Sequence, residues 1–318
     1  MKRFKNILVV CDDDASREDA LDRGLWLARA NGARVTLLDV IETGPGALRQ
    51  AFTGLSETRA TEIEAQVIAY YTDRLAALAV PFREAGLAVS TAVTQGVGFI
   101  EVIRTVLRDA HDIVIKGARS GGKSNRFSAG IDLHLLRKCP CPVWMLKAGQ
   151  PKRTERILAA IDPDPIDPSR DTLNRMTMEL AASLAEQDEA ELHVINAWHL
   201  PEEGTLRSGR FAMPEKEIVS ILEAEKRAAR ARLAAFLERF PDTQSNRSVV
   251  LEKGFAGDVI PDYAVRNGID TVVMGTVGRS GVRGLFIGNT AETILGAVPC
   301  SVMAIKPPDF LTPVGLNN

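Results

Sequence analysis

The chain carries one segment twice. Asp112–Lys147 reads DIVIKGARSGGKSNRFSAGIDLHLLRKCPCPVWMLK, and Asp270–Lys306 reads DTVVMGTVGRSGVRGLFIGNTAETILGAVPCSVMAIK. Laid together, Gly117 falls on Gly275 and Gly130 on Gly288; with one gap, Pro140-Cys141 falls on Pro299-Cys300. The starts agree as well: FKNILVVCDDD from Phe4 lies on TERILAAIDPD from Thr154, with Asp12 on Asp162. Self-similarity of this kind means one unit built twice, and 318 residues suit two domains. The repeats are set at 1–149 and 150–308, with a tail at 309–318 and a linker, AGQPK, at Ala148–Lys152.

Each repeat reads β-α-β-α-β-α-β-α-β. In the first, Lys5–Cys11, Arg34–Val40, Ala88–Thr94, Asp112–Lys116 and Val143–Lys147 are apolar runs too short for helices. Ala15–Asn31 has helical spacing and stops at Asn31-Gly32, a C-cap signal. Thr58–Ala85 reads as a long helix that Pro81 breaks or kinks near its end; Gly98–Asp109 and Ile131–Arg137 are the other helices. The second repeat places strands at Arg156–Ile161, Glu191–Asn196, Ser248–Glu252, Thr271–Met274 and Ser301–Ile305. Its long helix, Glu215–Arg239, is expected to bury Ile218, Ile221, Leu222, Leu233, Phe236 and Leu237. Strands alternating with helices predict an α/β fold of two tandem Rossmann-like domains, each with a parallel sheet covered on both faces. Longer insertions follow the second strand of each repeat, at Ile41–Glu57 and Trp198–Pro214, lengths that suit lids or partner surfaces. The fifth strands would be bare sheet edges, so Val143–Lys147 and Val302–Lys306 are expected to meet in an internal pseudo-dimer.

Charge and cysteine usage exclude several classes. A formal net charge of -2 supplies no field to recruit nucleic acid or an anionic membrane. No apolar stretch has the length of a membrane-spanning helix. The opening MKRFKNILVV is basic and then apolar, but the run stops at Cys11, too short for a secretory signal. Cys11, Cys139, Cys141 and Cys300 lack zinc-ligand spacing and are too few for a disulfide framework, so a cytoplasmic chain with reduced thiols is expected. Cys139-Pro-Cys141 is not the redox C-x-x-C spacing, and His111, His134, His193 and His199 form no local metal or catalytic pattern.

Two loops could hold phosphate. GARSGGKS, from Gly117 to Ser124, fits the P-loop spacing and would use Lys123 and Ser124. It follows the fourth of five strands rather than an early one, and GTVGRSGVRG in the second repeat has no GKS, so the match reads as coincidence. The stronger pattern is Gly275-x-x-Gly278, nine residues, then Gly288-Asn289-Thr290. Glycines let backbone approach a phosphate, Gly288-Asn289-Thr290 would open a helix whose N–H groups favour an anion, and Arg279 could add positive charge. In the first repeat Ser120 stands for the second glycine and Ile131-Asp132 for Asn289-Thr290, and an aspartate there would repel a phosphate.

The Gly275–Thr290 pattern, the strand-end aspartates in VVCDDD and AAIDPD, and the tandem arrangement resemble the universal stress protein family, as do VMGTVGRSGVRGLFIGNTAETIL and the tail IKPPDFLTPV. The resemblance covers nearly the whole chain. It implies open five-stranded sheets of order 3-2-1-4-5 and a cytoplasmic protein raised under starvation, oxidative or DNA-damaging stress, with no general enzymatic reaction, catalytic residue or metal. It also implies ATP or a related nucleotide at the loop after strand four in some members, and none in others. Asp162 is then expected at the base, with Gly275, Gly278, Arg279, Gly288, Asn289 and Thr290 at the phosphates, in the second repeat only. Asn289 departs from the Ser or Thr that the family's loop prefers. The alternatives are an apolar or amphipathic ligand under the insertions, or a P-loop ATPase. A homodimer is left open.

Overall fold

Short runs rich in Val, Ile and Leu form the strands here because they pack a pleated surface buried on both faces. The structure is a computed structural model and describes residues 4–12, 16–42, 57–118, 130–149, 151, 153–163, 168–208, 212–240, 247–276 and 288–316. It divides into two units: Met1–Arg153 with Thr276–Gly288 and Cys300–Asn318, and Thr154–Gly275 with Asn289–Pro299.

In the first unit β1 (Asn6–Val10), β2 (Arg34–Ile41), β3 (Val89–Gln95), β4 (Ile113–Gly117) and β5 (Val143–Leu146) are parallel neighbours in the order β3-β2-β1-β4-β5. Every residue of β1, β4 and β5 is buried. The helices are α1 (Arg17–Asn31), α2 (Glu57–Leu78), α3 (Val80–Glu84), α4 (Gly98–Asp109) and α5 (Ile131–Lys138). Gly32 closes α1 in the left-handed conformation at φ 61°, its N–H donated to Ala28 O, as the Asn31-Gly32 pair predicts. The helix expected over Thr58–Ala85 is two helices, because Pro81 is tolerated only in a first turn and there starts α3. The last strand of the sequence also lies in this unit. β10 (Ser301–Ile305) runs antiparallel to β5, with Val302 opposite Met145 and Ala304 opposite Val143.

The second unit repeats the pattern with β6 (Arg156–Ala160), β7 (Glu191–Trp198), β8 (Arg247–Lys253) and β9 (Thr271–Gly275), parallel in the order β8-β7-β6-β9. Its helices are α6 (Pro168–Asp188), α7 (Glu203–Arg207), α8 (Glu215–Leu237), α9 (Ala256–Arg266) and α10 (Asn289–Ala297). On α8, Ile218, Leu233, Phe236 and Leu237 are buried as expected, whereas Ile221 and Leu222 are only half-buried. Part of the second insertion is the short helix α7, tied to β8 by Lys253 Nζ, 2.8 Å from Glu203. The first insertion lies, but for its ends, outside the described residues. Among the described residues no helix is long and apolar enough to cross a membrane.

The duplication extends to single hydrogen bonds. Asp112 Oδ2 accepts the N–H groups of Lys5 (2.6 Å) and Asn6 (3.1 Å); Asp270 Oδ2 accepts those of Glu155 (2.7 Å) and Arg156 (2.8 Å). Asn31 Oδ1 accepts from Phe4 N, and Asp188 Oδ2 from Thr154 N, at 3.2 Å each. One carboxylate just ahead of each fourth strand thus pins the start of each first strand. Hydrogen bonds to a charged acceptor contribute about 1.5–3 kcal/mol, so Asp112→Ala and Asp270→Ala should each destabilise by about that amount, and by similar amounts. Urea unfolding of both variants checks this; a loss under about 0.5 kcal/mol at either position would show that clamp to be idle.

Candidate functional site

In an open parallel sheet, ligands bind beyond the carboxyl ends of the strands where the strand order reverses. In the first unit that point lies between β1 and β4, which are neighbours although β2 follows β1 in sequence. Three charged groups meet there. Lys116, the next-to-last residue of β4, has Nζ 3.0 Å from Asp12 Oδ2 and 3.1 Å from Asp132 Oδ1, and donates to Gly117 O at 2.8 Å. Asp12 follows β1 and Asp132 sits in the first turn of α5. The side chains of Lys116 and Asp132 are 1% and 0% exposed, so this is an internal ion cluster, not a solvated one.

This corrects the sequence-based picture of the first repeat. Asp132 does not present a bare carboxylate to incoming phosphate; it is turned inward onto Lys116. The matching place in the first repeat is lined by charged side chains of the protein itself. Beneath it Arg74 pairs with Asp39 on β2 and donates to Cys11 O at 3.2 Å. Burial raises the Asp39 carboxyl above its usual range, against the pull of Arg74. Burial likewise drives the Cys11 thiol far up, which makes it inert.

The second unit has different chemistry at the matching positions. Met274 stands where Lys116 does, and Asn196 where Asp39 does. Asn196 Nδ2 donates to Ile161 O at 2.9 Å, the task Arg74 performs at Cys11 O. Asp162 is held through its backbone, its N–H donating to Asn174 Oδ1 at 3.1 Å and its carbonyl accepting from Asn174 Nδ2 at 2.7 Å. Its carboxylate is 59% exposed, with Arg170 Nη2 at 3.5 Å. Asn289 and Thr290 begin α10 with exposed side chains. Gly275 has a packing use that the sequence does not reveal: a Cβ there would lie 2.4 Å from Leu173 Cδ2 on α6. In the first unit, Gly288 donates its N–H to Thr276 O at 3.1 Å. Gly278, Arg279, Lys123 and Ser124 lie outside the described residues.

The chain matches the model of the universal stress protein family twice, over residues 3–147 and 154–306. The chain belongs to the universal stress protein family. It is 30% identical to universal stress protein E of Salmonella typhi, covering 100% of this chain and 99% of that one, and 27% identical to the universal stress protein E homolog of Haemophilus influenzae over 96% and 98%. Among solved structures, a putative universal stress protein of Pseudomonas aeruginosa UCBPP-PA14 superposes with a TM-score of 0.73 at 25% identity, over 97% of this chain and 95% of that one.

In this universal stress protein two of the histidines have structural partners. His111 bridges Thr105 O (3.2 Å) and Thr36 Oγ1 (3.0 Å), and His193 meets Tyr263 OH at 2.7 Å. Among the described residues no cluster of three His, Cys, Asp or Glu could hold a metal. The sulfurs of Cys139 and Cys141 lie 3.6 Å apart, and the Cys139 hydrogen bond together with burial raises the Cys141 thiol. Lys116 is the buried charged residue that sequence reasoning missed. Its signal was a lysine closing an otherwise apolar strand, IVIK, where the other repeat has VVM. Removing one member of a buried ion cluster costs about 3–5 kcal/mol, because the partners stay buried unpaired. Lys116→Met should therefore destabilise strongly in urea, and Lys116→Met with Asp132→Asn should recover part of that loss. An additive double mutant would show that the two residues do not interact.

Proposed function

We propose that this chain is a non-catalytic, cytoplasmic stress-response protein that holds one phosphate-bearing nucleotide, ATP or a relative, in its second repeat. The observation that carries the reading is the first repeat's ion cluster. Lys116, Asp12 and Asp132 occupy the strand ends where a ligand would enter, so the first repeat is closed by its own side chains. The second repeat has Met274 at that position, an exposed Asp162 carboxylate, and Asn289 and Thr290 able to donate from the start of α10. Gly275, Gly278, Arg279 and Gly288 complete the proposed phosphate loop. The same reading takes 1–149 and 150–308 as the repeats and 309–318 as a tail, with the repeats joined as an internal pseudo-dimer. The antiparallel register of β5 and β10 supports that joining.

Titration calorimetry with ATP tests the reading. At most one ATP per chain should bind; Gly288→Val should abolish binding, and Gly130→Val should leave it unchanged. Two equivalent sites, or the reverse response of the two glycine variants, would assign the ligand to the other half. Lys123→Ala should leave both affinity and any phosphate release unchanged, because GARSGGKS follows the fourth strand and has no counterpart in the second repeat. Loss of measurable ATP hydrolysis in that variant would restore a P-loop role.

A further inference from the structure

Two thiols of the first unit share a turn that prolines stiffen. Cys139-Pro140-Cys141-Pro142 joins α5 to β5. A proline fixes its own φ and holds the residue before it to extended backbone. Cys139, which caps α5, is extended accordingly, at φ -68° and ψ 130°. Each cysteine precedes a proline, so the turn is set before anything binds. The sulfurs lie 3.6 Å apart; Cys139 is fully buried and Cys141 is 9% exposed. The matching turn of the second repeat, Val298-Pro299-Cys300-Ser301, carries one thiol and one proline. A buried lysine accompanies the pair. Lys306 directly follows β10 and is 4% exposed. Its Nζ donates to Leu136 O at 2.7 Å, in the last turn of the helix that Cys139 caps, and to Thr276 Oγ1. Burial lowers the Lys306 pKa to about 7, and among the described residues Cys139 is the titratable group that acts on it electrostatically.

We propose that Cys139 and Cys141 are a two-thiolate site for one soft monovalent cation, Cu(I), with Lys306 as its countercharge. The site lies at the amino end of β5, opposite the crevice, and does not rest on the nucleotide reading. Thiolates are soft ligands that suit Cu(I), zinc and iron–sulfur clusters. Zinc and the clusters take three or four protein ligands, and among the described residues no group of three His, Cys, Asp or Glu could hold a metal. Charge decides the same way. Two thiolates and Cu(I) sum to one negative charge, which the Lys306 ammonium cancels, and a buried charge must be paired. Binding breaks two S–H bonds and forms two copper–sulfur bonds. One proton goes to Lys306 where its amine is neutral, the other to solvent, and copper keeps its oxidation state. The metal has to displace these protons, because the Cys139 hydrogen bond and burial raise the Cys141 thiol; a coordinated thiol is deprotonated outright. Metal–sulfur bonds of about 2.3 Å, the length in zinc thiolates, span the 3.6 Å between the sulfurs at a bent angle. A straight line through the metal requires the sulfurs to part by about 1 Å.

The test is titration of the reduced full chain, without oxygen, with Cu(I) held by the chelator bicinchoninate. The protein should withdraw one Cu(I) per chain, and the copper X-ray absorption spectrum should show two sulfur neighbours and no nitrogen. Cys139→Val, which gives the turn the second repeat's residue, and Cys141→Ser should lose the site, while Cys11→Ser and Cys300→Ser keep it. Lys306→Met should weaken binding about tenfold or more, and Lys306→Arg, which keeps the charge, should restore it. Urea unfolding of each variant checks that it is folded, and the spectrum, taken on the unmodified protein, decides even where a variant is not. A chain that leaves the copper on the chelator, a spectrum with nitrogen or with three or more sulfurs, or binding that survives Cys139→Val would overturn the site. A folded Lys306→Met variant that binds as tightly as the unmodified protein would overturn the countercharge.

Discussion

Each sheet depends on the pairing of its first strand with its fourth. That pairing turns the sheet back on itself and opens a crevice at the carboxyl ends of the strands. At the opposite ends it must be locked, because the backbone N–H groups entering the first strand have no strand partner of their own. Asp112 and Asp270 provide the lock with the same two-pronged geometry. The clamp and the crevice are therefore the two ends of one arrangement, and the sequence duplicates both.

What the repeats do with the crevice has diverged through a few substitutions. Lysine against methionine at 116 and 274, and Ile-Asp against Asn-Thr at the helix start, set a self-paired ion cluster in one copy against an exposed polar helix start in the other. Aspartate against asparagine at 39 and 196 changes the floor from an ion pair to a neutral amide. A buried charge must be paired, so these changes come as sets. Asp132 at 0% exposure is paired with Lys116, and Lys116 at 1% with Asp12 and Asp132. The second repeat, without that lysine, has no need of a buried acid at the matching helix start.

A second set of buried cations follows the fifth strands. Lys147 and Lys306 share a position and burial lowers the pKa of both, and Lys306 meets the Thr276 hydroxyl. The matching neighbour in the other copy is Ala118, which has no hydroxyl. Cys11, Cys139, Cys141 and Cys300 are all buried, and burial raises the Cys11 and Cys141 thiols away from the thiolate that reactive cysteines require.

The sequence by itself determined the duplication, the α/β class and the strands to within two residues of their ends. It also determined the stop at Gly32 and the break at Pro81. These rest on residues adjacent along the chain: periodicity, a left-handed cap, a ring that forbids a helical hydrogen bond. The glycine pattern of the second repeat was legible for the same reason, being a local spacing. Tertiary structure alone decided that Asp132 turns inward to Lys116, that Gly275 makes room for Leu173, that Gly288 spends its N–H on Thr276, and that Lys306 reaches back to Leu136. Asp12 and Asp132 are more than a hundred positions apart, as are Leu136 and Lys306. Whether such groups repel a ligand, hold one or neutralise each other depends on distances of a few ångströms, which exist only once the strands have paired.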